Sequence, residues 1–413
     1  MNLLTSAALI LALISCTDRQ HRNPLDPLTS NPEFILDRLE VIAGDQKVEV
    51  RWDFSQFDDI SGFQLYRRSG EDEFVPRSTL AAEAGEFVDT QVENGIPYDY
   101  RLALLVDGEG EVFLDGFYRA TPGTEVCWVG DDFSGTIWRV SPDGRSAQFG
   151  RSGFAGLQGI GLDPDDGSLW VASSFFAGLL RLTTGQGDPL GEYPAAMGEP
   201  AAMVMASESG IVWMVDATTG KVLFGEPSAT ADSLRLAAVD ADFVEPVALS
   251  ARGDYCWITD RREGRVLRAG IDRSRLEFRD LVEPDALAAR DEHQAWVLLG
   301  QGRTLTRLSD ADTVIEVEMS FAATALDVDT ETGACWVVGP TDLAVYSSTG
   351  ELVRHEAGIV GGQSIRLDPV NGTVWLGGSG RLAKFGQDGQ ALAELGGFSR
   401  PRFLSVDPLG ASR

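Results

Sequence analysis

Three Glu-Pro pairs, Glu199-Pro200, Glu245-Pro246 and Glu283-Pro284, stand 14, 12 and 13 residues before a tryptophan in a chain of 413 residues. Three aspartates, Asp131, Asp216 and Asp260, each follow a tryptophan by three residues. Carboxylates that recur at equivalent positions can converge on one point, and several oxygen ligands there suit a hard cation such as calcium. Glu199, Glu245 and Glu283 are therefore the candidate metal ligands, with Asp131, Asp216 and Asp260 lining the same face. The recurrence also has a simpler meaning, because Glu-Pro is a good extended dipeptide with which to start a strand.

Other chemistry is sparse. The three histidines, His21, His293 and His355, are scattered, and nothing pairs them into an acid/base site. No phosphate-binding glycine loop, Cys-x-x-Cys pair or nucleophile elbow occurs. The sequence therefore offers no catalytic residue and no cofactor site beyond calcium. Cys127, Cys256 and Cys335 each directly precede a Trp, where other repeats carry Leu169, Val212, Ala295 or Val374. That set marks a small buried apolar position, and a thiol packs there as a small hydrophobe. The formal charge of −29 repels nucleic acid and anionic headgroups and favours cations or basic partners.

The elements that position these residues are repeats. Tryptophans fall at 128, 170, 213, 257, 296, 336 and 375, at spacings of 39 to 44 residues. Around each runs a pattern of three or four short strands separated by turns, which predicts one propeller blade per period. The expected innermost strands, among them "GIGL", "ALAA" and "SIRL", are rich in Gly, Ala and Ser, as crowding about an axis requires. The first Trp repeat lacks an inner strand, and the C-terminal "RFLSVDP" is an inner strand without the rest of its blade. Pairing them completes a seventh blade and leaves no open sheet edge. The rim position held by the glutamates is taken elsewhere by Gln158, Gln363, Arg400 and Arg402. These four, with Asp131, Asp216 and Asp260, form the candidate partner face.

Residues 33–122 show short alternating strands such as "KVEVRW" and "GFQLYRR", the pattern of a half-buried β-sandwich. The expected fold class is all-β: a sandwich over 33–122 followed by a seven-bladed propeller over 123–413, closed by the C-terminal strand. Ahead of it, "MNLLTSAALILALISC" reads as a secretion signal over 1–15, too short to span a bilayer as a mature helix. Residues 16–32, rich in Pro, Asn and Asp, read as a tether that reaches about 50 Å at ~3.3 Å per residue.

Several of these segments resemble known families. Leu13-Ile14-Ser15-Cys16 resembles the lipobox of bacterial lipoproteins, although no Lys or Arg precedes the apolar run. The resemblance implies acylation of Cys16, a membrane held through N-terminal lipid, and a location outside the cytoplasm. Thr17 after the cysteine points to the outer membrane in a cell with two membranes. Trp52, Tyr66 and the "NGIPYDYRL" turn, with Tyr98 as corner tyrosine, resemble a fibronectin type III module. "VEPVALSARGDYCWITD" and "GIGLDPDDGSLWVAS" resemble NHL and streptogramin-lyase repeats. The lyase chemistry of that family depends on histidines that this chain does not pair. The Glu-Pro positions resemble those of calcium-dependent gluconolactonase-like propellers, without that family's Asn-containing ligand segments. The leading expectation is a lipid-anchored binding or scaffolding protein whose propeller face engages a protein or glycan of the cell envelope. The alternatives are a calcium-dependent lactonase or esterase and a purely structural envelope component.

Overall fold

The computed structural model describes residues 39–57, 59–183, 187–227, 234–311, 314–359 and 362–412. The signal segment, Cys16 and the tether lie outside the described residues. The chain divides between Pro122 and Gly123 into two compact units. No helix among the described residues is long and apolar enough to cross a membrane.

The first unit is a two-sheet sandwich. Leu39–Gly44, Lys47–Trp52 and Glu86–Asp89 form one sheet. Val75–Ala81, Ile60–Ser69, Tyr98–Val106 and Gly110–Phe113 form the other, with Tyr118–Ala120 also paired to Tyr98–Val106. Alternation sends Val48, Val50 and Trp52 inward from one sheet to meet Phe63, Leu65, Tyr100, Leu102 and Leu104 from the other. The Tyr98 hydroxyl accepts a hydrogen bond from the Glu93 backbone N–H at 3.1 Å, which fixes the turn into its strand.

The second unit is a propeller of seven four-stranded antiparallel sheets. In chain order, blades 1 to 6 begin with the inner strands Leu157–Leu162, Pro200–Met205, Pro246–Arg252, Leu287–Ala289, Ala325–Val328 and Ser364–Asp368. Blade 7 takes its inner strand, Pro401–Asp407, from the C-terminus and its other three from Val126–Asp131, Thr136–Val140 and Ala147–Ser152. Phe403 pairs with Gly130 and Ser405 with Trp128, so the ends of this unit close its ring as the split repeat predicts. Inner strands neighbour one another all the way round. A Cβ on Gly159 would stand 2.7 Å from the Met203 carbonyl oxygen of the next blade, and one on Gly161 would stand 2.6 Å from the Met205 Cβ. Small residues are thus a packing requirement at the axis.

All seven repeat tryptophans lie on second strands and are buried. Alternation points each Trp to one side of its blade and the preceding residue to the other. Cys256 therefore packs with Trp213 of blade 2, Cys335 with Trp296 of blade 4 and Cys127 with Trp375 of blade 6. The three thiols are free and buried, and burial pushes all of them well above their ordinary range.

Candidate functional site

The second strand of each blade ends where the inner strand begins, because the two are antiparallel neighbours: Asp216 pairs with Pro200, Asp260 with Pro246 and Asp131 with Pro401. The connection entering the inner strand and the loop leaving the second strand therefore share one face. The sequence-derived rim residues fall at these inner-strand starts. Glu199 and Glu283 are exposed, as are Gln363, Arg400 and Arg402, while Glu245 and Gln158 are half-buried.

Asp131, Asp216 and Asp260 are placed differently from the expectation that they line this face. All three are buried, and their carboxylates accept backbone N–H groups of the segment that leads into the inner strand. Asp216 accepts from Gly198 at 3.1 Å and from Thr218 at 3.0 Å. Asp260 accepts from Val244 at 3.2 Å and Glu245 at 2.9 Å, and Arg265 closes on it at 3.0 Å. Asp131 accepts from Ser399 at 2.5 Å, Arg400 at 3.0 Å and Ser134 at 3.0 Å. The incoming segment has no strand partner for these N–H groups, so a buried carboxylate satisfies them. Burial alone would raise the Asp131 and Asp216 carboxyls, but the backbone hydrogen bonds outweigh it and hold both below the usual carboxylate range. The aspartates brace the loops and do not project from them.

The three glutamates present their charge outward in three neighbouring blades. Glu245 pairs with Arg261 at 3.2 Å, and the same guanidinium bonds Asp285. Among the described residues, no group of three or more His, Cys, Asp or Glu side chains is placed to hold a metal ion. His293 pairs with Asp310 at 2.6 Å and His355 with Asp342 at 2.9 Å, in blades 4 and 5. Among the described residues these two imidazoles are each held by a separate aspartate and do not form a pair with each other.

Sequence reasoning missed two residues on this face. Phe133 and Phe175, in the loops after the second strands of blades 7 and 1, are 76% and 80% exposed. Their signal is positional: a large aromatic stands two residues past the second strand, where blade 2 has Thr218 and blade 3 has Arg262.

No protein-family model matches the chain, and no curated protein matches it. Solved structures share its fold at low identity. A functionally unknown protein from Desulfotomaculum acetoxidans is 13% identical, with a TM-score of 0.58 over 68% of this chain and 98% of that one. A 6-phosphogluconolactonase-like protein from Bacteroides fragilis is 12% identical, with a TM-score of 0.53 over 69% of this chain and 98% of that one. Virginiamycin B lyase from Staphylococcus aureus is 13% identical, with a TM-score of 0.50 over 60% of this chain and 87% of that one. These likenesses define the class, a β-propeller, and they show fold alone. Binding and hydrolase roles are both compatible with it.

Proposed function

We propose that this chain is a lipid-anchored extracytoplasmic binding or scaffolding protein. Its propeller face, where the inner strands begin, engages a protein or glycan of the cell envelope. The observation that supports this reading is the division of labour on that face: buried Asp131, Asp216 and Asp260 brace the loops, while the exposed positions differ from blade to blade. A rigid platform with a varied rim suits recognition, because little conformational entropy is lost when a partner docks. The Cys16 lipobox supports anchoring, with the outer membrane as its place in a two-membrane cell. The sandwich, whose three- and five-stranded sheets and Tyr98 corner support a fibronectin type III-like module, serves as spacer or second contact surface.

Two measurements test this. Labelled palmitate incorporated into wild-type protein but not into Cys16→Ala protein supports anchoring, and equal labelling of both overturns it. The intact chain is then applied to arrays of envelope glycans and purified envelope proteins beside a Glu199→Ala/Gln363→Ala/Arg402→Ala variant. Binding that weakens in the variant supports the face, whereas unchanged binding places recognition elsewhere.

A further inference from the structure

Phe133 and Phe175 are more exposed than any other large apolar side chain among the described residues. Both belong to loops tied to one short segment, residues 153–156, which crosses from blade 7 to blade 1. Phe154 donates its N–H to Gly135 at 2.9 Å, and Ser174 donates its N–H to Gly156 at 2.8 Å. The Ser173 hydroxyl donates to the Ala155 carbonyl at 2.6 Å and accepts the Phe175 N–H at 3.2 Å. Gly156 has a φ of +65°, and a Cβ there would stand 2.8 Å from the Phe175 ring. Both loops are therefore fixed to one strip, with the Phe175 ring lying against Gly156.

Arginine completes the patch. Asp132 accepts hydrogen bonds from Arg400 and, at 3.3 Å, from Arg402, and the Arg400 guanidinium lies 6.0 Å from the centre of the Phe133 ring. Asp132 itself is nearly buried, whereas both arginine side chains are half exposed. One carboxylate serves two guanidiniums that carry about ten N–H donors between them. Most of those donors are left for a partner.

We propose that Phe133, Phe175, Arg400 and Arg402 form a protein-docking hot spot, in which both rings enter an apolar pocket of a partner protein rimmed by carboxylates. This rests on the proposed binding function and names the partner class and the place. Rings this exposed stand proud of the surface instead of lining a concavity, so they act as knobs for a partner's hole; a sugar is more often gripped in a cleft. The net charge of −29 disfavours anionic surfaces at long range, a lipid headgroup layer included, whereas at contact distance the half-exposed Arg400 and Arg402 present local positive charge to a few carboxylates on a partner. Phenylalanine and arginine beside each other on a rigid platform match the composition of interface centres.

The test places the photo-reactive residue benzoylphenylalanine in the full chain, in its native cells, at position 133, at 175, or at 370. Val370 is also strongly exposed but lies in the turn at the opposite end of blade 6. Expected are adducts with one and the same protein from 133 and 175 and none from 370, lost when Arg400→Glu and Arg402→Glu are added. With that protein purified, Phe175→Ser weakens its binding on the order of tenfold or more, while the thermal midpoint of the chain stays unchanged. Absence of a protein adduct, adducts with lipid or glycan alone, insensitivity to the arginine changes, or unchanged affinity of Phe175→Ser overturns the proposal. If Phe175→Ser binds normally while a Glu199→Ala/Gln363→Ala variant, which leaves all four hot-spot residues in place, does not, the hot spot fails and the broader binding function stands.

Discussion

Lys384 and Glu125 lie 259 positions apart in the chain and form a buried ion pair at the seam between blades 6 and 7. The ammonium also donates to the Pro142 carbonyl, and the Glu125 carboxylate accepts from the Thr373 hydroxyl at 2.6 Å. Burial pushes the Lys384 ammonium down to about 7. Lys384→Met strands the Glu125 carboxylate in the seam and is expected to cost about 3–5 kcal/mol in urea unfolding. Adding Glu125→Gln should restore most of that loss. A double variant no more stable than Lys384→Met would mean that the pair is not what holds the seam.

The bracing aspartates give the propeller an acid limb. Asp131 and Asp216 titrate lower in the folded chain than the unfolded value of 3.8. Their contribution is therefore fully present above that value and is lost as pH falls through the lower folded value. Asp131→Asn replaces an acceptor with an amide that faces N–H donors, and should cost about 2 kcal/mol at neutral pH. The gap from wild type should narrow below pH 3.8. A gap that stays constant from pH 7 to pH 2 contradicts the assignment.

The blades were legible in the sequence because a buried Trp recurs with every period, and the closing strand because its repeat is split between two ends. The roles of Asp131, Asp216 and Asp260 were not legible. A carboxylate three residues after a Trp looks like a rim charge until antiparallel pairing sets it beside the unpaired N–H groups of the incoming segment. Phe133 and Phe175 were hidden for the opposite reason: in a chain so rich in core aromatics, nothing local distinguishes a protruding Phe from a packed one. Nothing near Lys384 in the chain marks it as buried or paired, since only the three-dimensional seam brings Glu125 to it.

His293 offers a pH probe on blade 4. Its hydrogen bond to Asp310, with Glu292 and Asp291 nearby, raises its pKa above the ordinary 6.5. The stabilisation from this raised group is present below 6.5 and fades as pH climbs through the folded value. NMR titration of the ring should give a midpoint above 6.5, and Asp310→Asn should move it down. A midpoint indifferent to that substitution would exclude the pair.

The three buried thiols should be silent in the folded state. A thiol reacts as its thiolate, and burial suppresses both the thiolate and reagent access at Cys127, Cys256 and Cys335. A thiol reagent should label none of them in native buffer and all three in guanidinium. Rapid native labelling of any one would show that its blade interface opens.

Calcium decides between the two function classes that the glutamates first suggested. A cation that binds only the folded state, at a hundred times its dissociation constant, adds about 2.7 kcal/mol of stability. Glu199, Glu245 and Glu283 start strands in three successive blades, but the Glu245 carboxylate is held by Arg261, whose positive charge opposes a cation at that place. The geometry therefore predicts the same thermal midpoint in calcium as in chelator. A clear rise in calcium that disappears when all three glutamates become Gln would mean that they gather around the ion after Arg261 swings away. That outcome would bring the hydrolase reading forward and call for a lactone and ester screen. A rise that survives the triple substitution would locate the ion elsewhere and leave these glutamates to the partner face.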